Sequence, residues 1–405
     1  MTTMAHIPLS PDHLRMGDPL PFDVFDNNGM LLLPARGVIR DESKLLLLRS
    51  KNLFIDDDAS ARWRASFTSS VHHLIHTNAS LRHIAAGHIQ RDRVATNAQA
   101  EVLGTVEAWT QLMRSLHQAL RHPATGSGWL EQTQQALAKA RELSRRKPHA
   151  ALFLLFQHAT HSAEAYSTQH GMLCAMVCER VGQVLELGEN ELSSLCHAAI
   201  TMNVGMTALQ DTLAQQRLPL NAEQRERIAQ HPLTGSTMLA QAGVDDGRWL
   251  KIVRLHHDAQ LLERPLRELD MASRLARLLN VVDRFTAKLS RRGNRAPMSP
   301  LSAARGACVG ANGQPDEYGS ALLKALGMYP PGCYVQLSTG EVAVVMAPGR
   351  RANEPLVAAI VGRGGLPLSE PVLRDTSLSG RQVVAPVAPA EVRVRLNQQR
   401  LLDLM

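Results

Sequence analysis

The stretch Trp249–Asp258, WLKIVRLHHD, ends an apolar helical run on two adjacent histidines, His256 and His257. Ile252, Val253 and Leu255 supply the apolar face. Adjacent residues on an α-helix point about 100° apart, so both imidazoles reach one ion only if the helix ends or bends there. Neutral imidazole is a common ligand for zinc, iron, nickel and copper. Alone, such a pair fits a solvated surface equally well.

Three further runs shift that balance. His170 lies in STQHGMLCAMVCERVG, a predicted helix with apolar Met172, Leu173, Met176 and Val177. His231 lies in NAEQRERIAQHPLTGSTML, and Asp283 in RLARLLNVVDRFTA, a helix with a wide apolar face. Histidines and a carboxylate projecting from several apolar helical faces are what a buried metal cluster in a helical bundle uses. In this order the residues resemble the HD-GYP group of the HD phosphohydrolases, whose typical members hydrolyse cyclic di-GMP with two or three metal ions. The family's first His falls on His170, and its H-P-x-x-G run on His231, Pro232 and Gly235. Its H-H-E run falls on His256, His257 and Asp258. Its A-R-x-L-x-V-x-D run falls on Ala276, Arg277, Leu279, Val281 and Asp283. The resemblance covers roughly residues 160 to 300. It implies a mainly α fold, a helical HD-domain bundle, with metal ligands at His170, His231, His256, His257 and Asp283.

The chain departs from the family where the namesake His-Asp should stand. AAITMNVGM, Ala198 to Met206, places Met202 at the His position, Asn203 at the Asp position and Met206 at the family's Lys. The G-Y-P loop is also missing: HHDAQLLERPLREL holds no Gly and no Tyr, only Pro265. In the family one metal sits between the first His, the namesake pair and the last Asp. The other sits among the bridging Asp, the H-P His and the His pair. By that pattern the first site keeps only His170 and Asp283, and Met202 offers a soft, neutral thioether unsuited to a hard hydrolytic ion. The second keeps His231, His256 and His257, and three imidazoles suit a single zinc or iron. Asn203 can neither bridge two cations nor balance their charge. Two-metal hydrolysis needs both ions. The losses amount to several kcal/mol of transition-state stabilisation, or roughly three or more orders of magnitude in rate, each ~1.4 kcal/mol being tenfold. A family member's third metal takes a Glu one turn before the first His. Here Tyr166 stands there, and Glu164 lies on another face.

Three readings follow. The first is a degenerate domain acting as a regulatory, nucleotide-binding or scaffold module in cyclic di-GMP signalling. The second is a metal-dependent phosphodiesterase working with one metal. The third is a helical domain with neither metal nor nucleotide, comparable to the HDOD signalling domains. The expected cofactor is at most one transition metal ion, zinc, iron or manganese. The expected partners are a cyclic dinucleotide, signalling proteins and a second copy in a homodimer, and not DNA. The family's basic run for ligand phosphates falls loosely on Arg291, Arg292 and Arg295, where a solvated loop fits as well.

A net charge of +7 over 405 residues is compatible with an anionic ligand but does not demonstrate one. Cys174, Cys178, Cys196, Cys308 and Cys333 form no zinc or disulfide spacing, and the first three sit in apolar runs as small core residues. Free thiols suit a reducing cytoplasm. No signal peptide or membrane-length apolar run is evident.

Outside the central run the chain divides further. Residues 1 to 66 form a small β-rich module, with a loose arm to about residue 20. A hairpin follows around Asn27-Asn28-Gly29, then a short helix capped by Asp41 and an edge strand from Leu53 to Ile55. Residues 67 to 150 are a helical connector. His72, His73, His76, His83 and His88 within it read as a polar helix face, since no carboxylate or cysteine joins them at ligand spacing. Residues 151 to 328 form the HD-GYP-like domain. Within it, Pro232 is expected to end the helix that brings His231. Residues 329 to 405 form a small antiparallel β extension, with VRVRLNQQRLLDLM as a strand running into a short helix.

Overall fold

The computed structural model describes residues 6–9, 16, 23–26, 30–34, 37–39, 41–49, 53–56, 104–121, 123, 128–309 and 316–405. The five connector histidines and the Asn27-Asn28-Gly29 turn lie outside these residues. The chain divides into two compact units, residues 1–101 and 102–405.

The first unit holds β1 (His6–Leu9), β2 (Val24–Phe25), β3 (Leu31–Leu33), α1 (Glu42–Arg49) and β4 (Leu53–Asp56). The Asp41 carboxylate accepts from the Ser43 amide at the helix start. The sheet is antiparallel in the order β1-β4-β2-β3. β4 is therefore interior, which corrects the expected edge strand. Residues 6–9 of the expected loose arm pair with it, His6 opposite Asp56 and Leu9 opposite Leu53. The cause is burial: Leu53 and Ile55 enter the core of Val24, Leu33, Ile39 and Leu48, so both sides of β4 take partners.

The second unit is a helical bundle with a sheet against it. Its helices are α2 (Thr105–Arg121), α3 (Trp129–Arg146), α4 (Pro148–His161), α5 (Tyr166–Val184), α6 (Glu189–Thr201), α7 (Thr207–Gln215) and α8 (Ala222–Gln241). They continue with α9 (Gly247–Leu255), α10 (Ala259–Glu263), α11 (Met271–Leu289), α12 (Pro300–Cys308) and α13 (Glu317–Leu326), and α14 (Gln398–Leu402) closes the chain. Helix α5 is buried nearly all round, as a central helix with apolar residues on every face must be. Its small residues permit close packing: a Cβ added at Gly171 would lie 3.0 Å from the Ile200 carbonyl of α6. The most apolar window across Glu189–Gln215 is 72% buried inside this bundle.

Strands β5 (Tyr334–Leu337), β6 (Val342–Ala347), β7 (Leu356–Val361), β8 (Pro367–Asp375) and β9 (Val383–Val387) form an antiparallel sheet in the order β8-β7-β6-β5-β9. One face, with Tyr334, Val344, Met346, Ala358 and Ile360, joins the core of the bundle. The other, with Val335, Leu337, Ala343, Val345, Val357 and Ala359, packs a smaller cluster. That split is the period-two alternation of strands. The two edge strands hold Pro367, Pro371 and Pro386, in keeping with the confinement of proline to edges. Residues 392–397, expected as a strand, join no ladder.

Candidate metal centre

Helix α8 runs from Ala222 to Gln241 with Pro232 inside it, which corrects the expected stop at Pro232. Its start is a capping box, Asn221 Oδ1 accepting from the Gln224 amide and Gln224 Oε1 from the Asn221 amide. A proline in mid-helix deprives the carbonyl four residues earlier of its donor. That carbonyl belongs to Ile228, and His231 Nδ1–H donates to it at 2.5 Å. The backbone gap and the side chain satisfy each other, so the helix continues.

The same bond fixes the imidazole. A carbonyl only accepts, so Nδ1 holds the proton and Nε2 keeps its lone pair. His256 repeats the device, Nδ1–H donating to the Val253 carbonyl at 2.6 Å. Helix α9 ends at Leu255, and His256 and His257 follow in its exit turn. Asn280 of α11 holds that turn, its Nδ2–H donating to the His256 carbonyl at 2.7 Å. Trp249 Nε1–H donates to Thr201 Oγ1 and ties α9 to α6.

The Nε2 atoms of His231 and His256 face each other at 3.2 Å. Two lone pairs at that distance repel unless a cation lies between them or one ring takes a second proton. Burial, reinforced by the neighbouring histidines, pushes the pKa of His256 down to about 3. Burial likewise pushes His231 down to about 4. Protonation at neutral pH is thus disfavoured. Two imidazole nitrogens on a tetrahedral zinc stand roughly 3.3 Å apart, so the donor set fits a metal ion. His257 is the exposed third member: a ligand atom from each of the three rings lies within 4.8 Å of the others.

A second group lies alongside. His170 Nε2 is 2.6 Å from Asp283 Oδ1, and the other carboxylate oxygen is 3.8 Å from His257 Nε2. Asp283 thus touches both groups. Burial opposes charge on His170, but Cys174, Tyr166 and the bond to Asp283 outweigh it and hold its pKa well above the usual value. Burial would raise the Asp283 carboxyl, but the hydrogen bond and charge of His170, then His257 and His256, hold it well below the carboxylate range. The hydrogen bond between them occupies the His170 nitrogen that a metal would otherwise take.

The turn bearing Met202 and Asn203 links α6, beside α5, to the approach on α8. Ile200 packs against Gly171, next to His170, while a Cβ at Gly205 would meet the His231 carbonyl at 2.7 Å. Met202 is buried in the core and Asn203 is nearly so. Met206, half-buried, closes the short helical turn after them.

Of the three arginines, Arg292 comes nearest the centre. It donates to Tyr166 Oη at 2.9 Å, and its guanidinium lies 5.1 Å from the Tyr166 ring centre. Tyr166 stacks on His170 at 5.3 Å. Arg295 donates instead to the Ala287 carbonyl, and Arg291 is exposed. Asp258 caps α10 through the Gln260 amide.

Sequence reasoning missed two residues. Cys174 is buried in the core as expected, but it also lies 3.7 Å from His170 Nε2 and 3.2 Å from Thr286 Oγ1, contacts the reading did not include. Its position one turn after His170 was the available signal. Asn280 was passed over, though an amide in the apolar run LLNVVD needs a partner.

A family profile described as "HD domain" matches residues 153–314. No curated protein matches the sequence. The solved structure of Bd1817, a HDG"Y"P protein from Bdellovibrio bacteriovorus, is similar with a TM-score of 0.46 and 13% identity, over 79% of this chain and 99% of that one. Residues 153–314 are thus similar to HD domains.

Proposed function

We propose that this chain is a catalytically impaired HD-GYP-type signalling protein, retaining a one-ion site at His231, His256 and His257. The carrying observation is the contrast between the two groups. His231 and His256 present opposed, unprotonated Nε2 atoms. His170 and Asp283 close on each other as an ion pair. HD domains typically bind divalent metals, and a transition ion such as zinc, iron or manganese suits the imidazole set. When bound, it would supply Lewis acidity at one point, with no bridging carboxylate for a second ion. His231, His256 and Asn280 would hold the site's shape, and Asp283 would balance part of the charge.

In this reading the domain acts by binding a cyclic dinucleotide or a signalling protein rather than by turnover. A residual one-metal phosphodiesterase is the second reading, favoured by the exposed His257, which leaves the ion's outer side open. Elemental analysis of the purified chain tests the first. It predicts one transition-metal ion per chain, lost in His256→Ala and kept in Cys174→Ala. Two or more ions per chain contradict it.

A further inference from the structure

A cavity of about 690 Å³ lies on the second unit, and its lining includes none of His170, His231, His256, His257 and Asp283. Helix α2, helix α4, the 162–165 loop and the segment before α14 enclose it. That size is in the range that holds small organic ligands. Trp109, Met113 and Leu155 give it an apolar floor.

The polar groups around it sort into two kinds. Some are already satisfied: His161 Nδ1–H donates to the Gln157 carbonyl, and His161 Nε2 meets Tyr334 Oη at 3.3 Å. His117 Nδ1 meets Thr168 Oγ1 at 3.1 Å. Others are left over. His158 Nε2 is buried with no hydrogen-bond partner. Burial lowers the pKa of His158, against a backbone hydrogen bond with Glu164 that raises it. Arg114 and Arg395 stand on the rim, and neither forms an ion pair with a described residue. Glu164 is the lining carboxylate, so the two guanidinium groups outnumber it. An apolar floor and surplus positive charge on the rim define a binding site by chemistry.

The wall of this cavity is also the start of α5. Ala165, which lines it, has φ 45°, in the left-handed region that non-glycine residues rarely adopt. Strained backbone of this kind tends to gather at ligand-contacting segments. Gln169, also in the wall, immediately precedes His170.

We infer that this cavity binds a small amphiphilic anion, an aromatic or aliphatic body with one carboxylate, sulfonate or phosphate group. The body lies on Trp109, Met113 and Leu155, and the anionic group meets Arg114 and Arg395. Binding here does not depend on whether the histidine centre holds metal.

The test uses 8-anilinonaphthalene-1-sulfonate and its uncharged relative N-phenyl-1-naphthylamine, titrated by fluorescence into the full chain. The sulfonate probe is expected to saturate a site that is weakened at least tenfold in the Arg114→Ala/Arg395→Ala variant. N-phenyl-1-naphthylamine is expected to bind the wild type at least tenfold more weakly than the sulfonate. Thr110→Trp, at an exposed lining position, is expected to block the sulfonate by filling the mouth. Thermal melts matched to wild type show that the variants fold. The inference is overturned if the sulfonate shows no saturable binding, or if both variants bind it as wild type does. Equal binding of the two probes overturns the assignment of an anion.

Discussion

His231 Nδ1 bonds the carbonyl of Ile228, the very carbonyl that Pro232 leaves without a helical donor. The adjacent His231 and Pro232 thus acquire a physical reason in this chain. Proline opens an acceptor, the preceding histidine fills it, and the outcome is an imidazole with one tautomer and a directed Nε2.

Replacing Pro232 with alanine returns an N–H to compete for Ile228. Helix stability is expected to rise, because proline in a helix interior costs up to ~3 kcal/mol relative to alanine, here partly offset by the His231 bond. Metal affinity is expected to fall about tenfold, the usual cost of losing the group that orients a ligand histidine. Thermal melts and zinc titration of Pro232→Ala check both. Equal or tighter zinc binding would show that the Ile228 bond does not orient the ligand.

Arg141 of α3 donates to both oxygens of Glu179 on α5, at 2.8 and 3.3 Å, with both side chains mostly buried. Removing one partner of such a pair strands a charge. Arg141→Ala is expected to destabilise the second unit by about 3–5 kcal/mol. Arg141→Met combined with Glu179→Gln should recover most of it. Denaturant unfolding of the three chains decides, and a single mutant within ~1 kcal/mol of wild type would count against a buried pair.

Acid should unfold the metal-free protein early. His256 and His231 have folded pKa values lowered to about 3 and about 4. The unfolded chain titrates near 6.5, so it binds more protons between those values. Their contribution is full above about pH 6.5 and is lost as pH falls towards 4, by about 1.4 kcal/mol per unit for each ring. His170, raised, acts in the opposite sense near pH 6.5, where the unfolded ring is still taking up its proton, and adds no slope once both states are protonated at lower pH. Unfolding free energy measured from pH 7 to 4.5 should decline more steeply in wild type than in His256→Gln. Parallel curves would contradict the neutral, buried assignment.

The bundle was legible because its helices are long and their apolar faces follow a period of 3.6. Asp41 and Asn221 announced helix starts through cap chemistry that acts locally. What escaped depends on partners remote in sequence. β4 reads as an edge until β1 is seen beside it. In the centre, the order of His170, His231, His256, His257 and Asp283 was visible. The carbonyls that orient two of these imidazoles were not, since a backbone atom leaves no letter in the sequence. The closure of His170 on Asp283 was equally hidden, because a ligand pair and an ion pair are spelled alike.

The most direct measurement of the central claim is hydrolysis of cyclic di-GMP by the wild-type chain loaded in turn with zinc, iron and manganese. With Met202 and Asn203 where a terminal ligand and a bridging carboxylate would stand, no appreciable turnover is expected. Metal-dependent turnover near ~1 per second, a rate ordinary for enzymes, abolished by His257→Ala, would contradict the account.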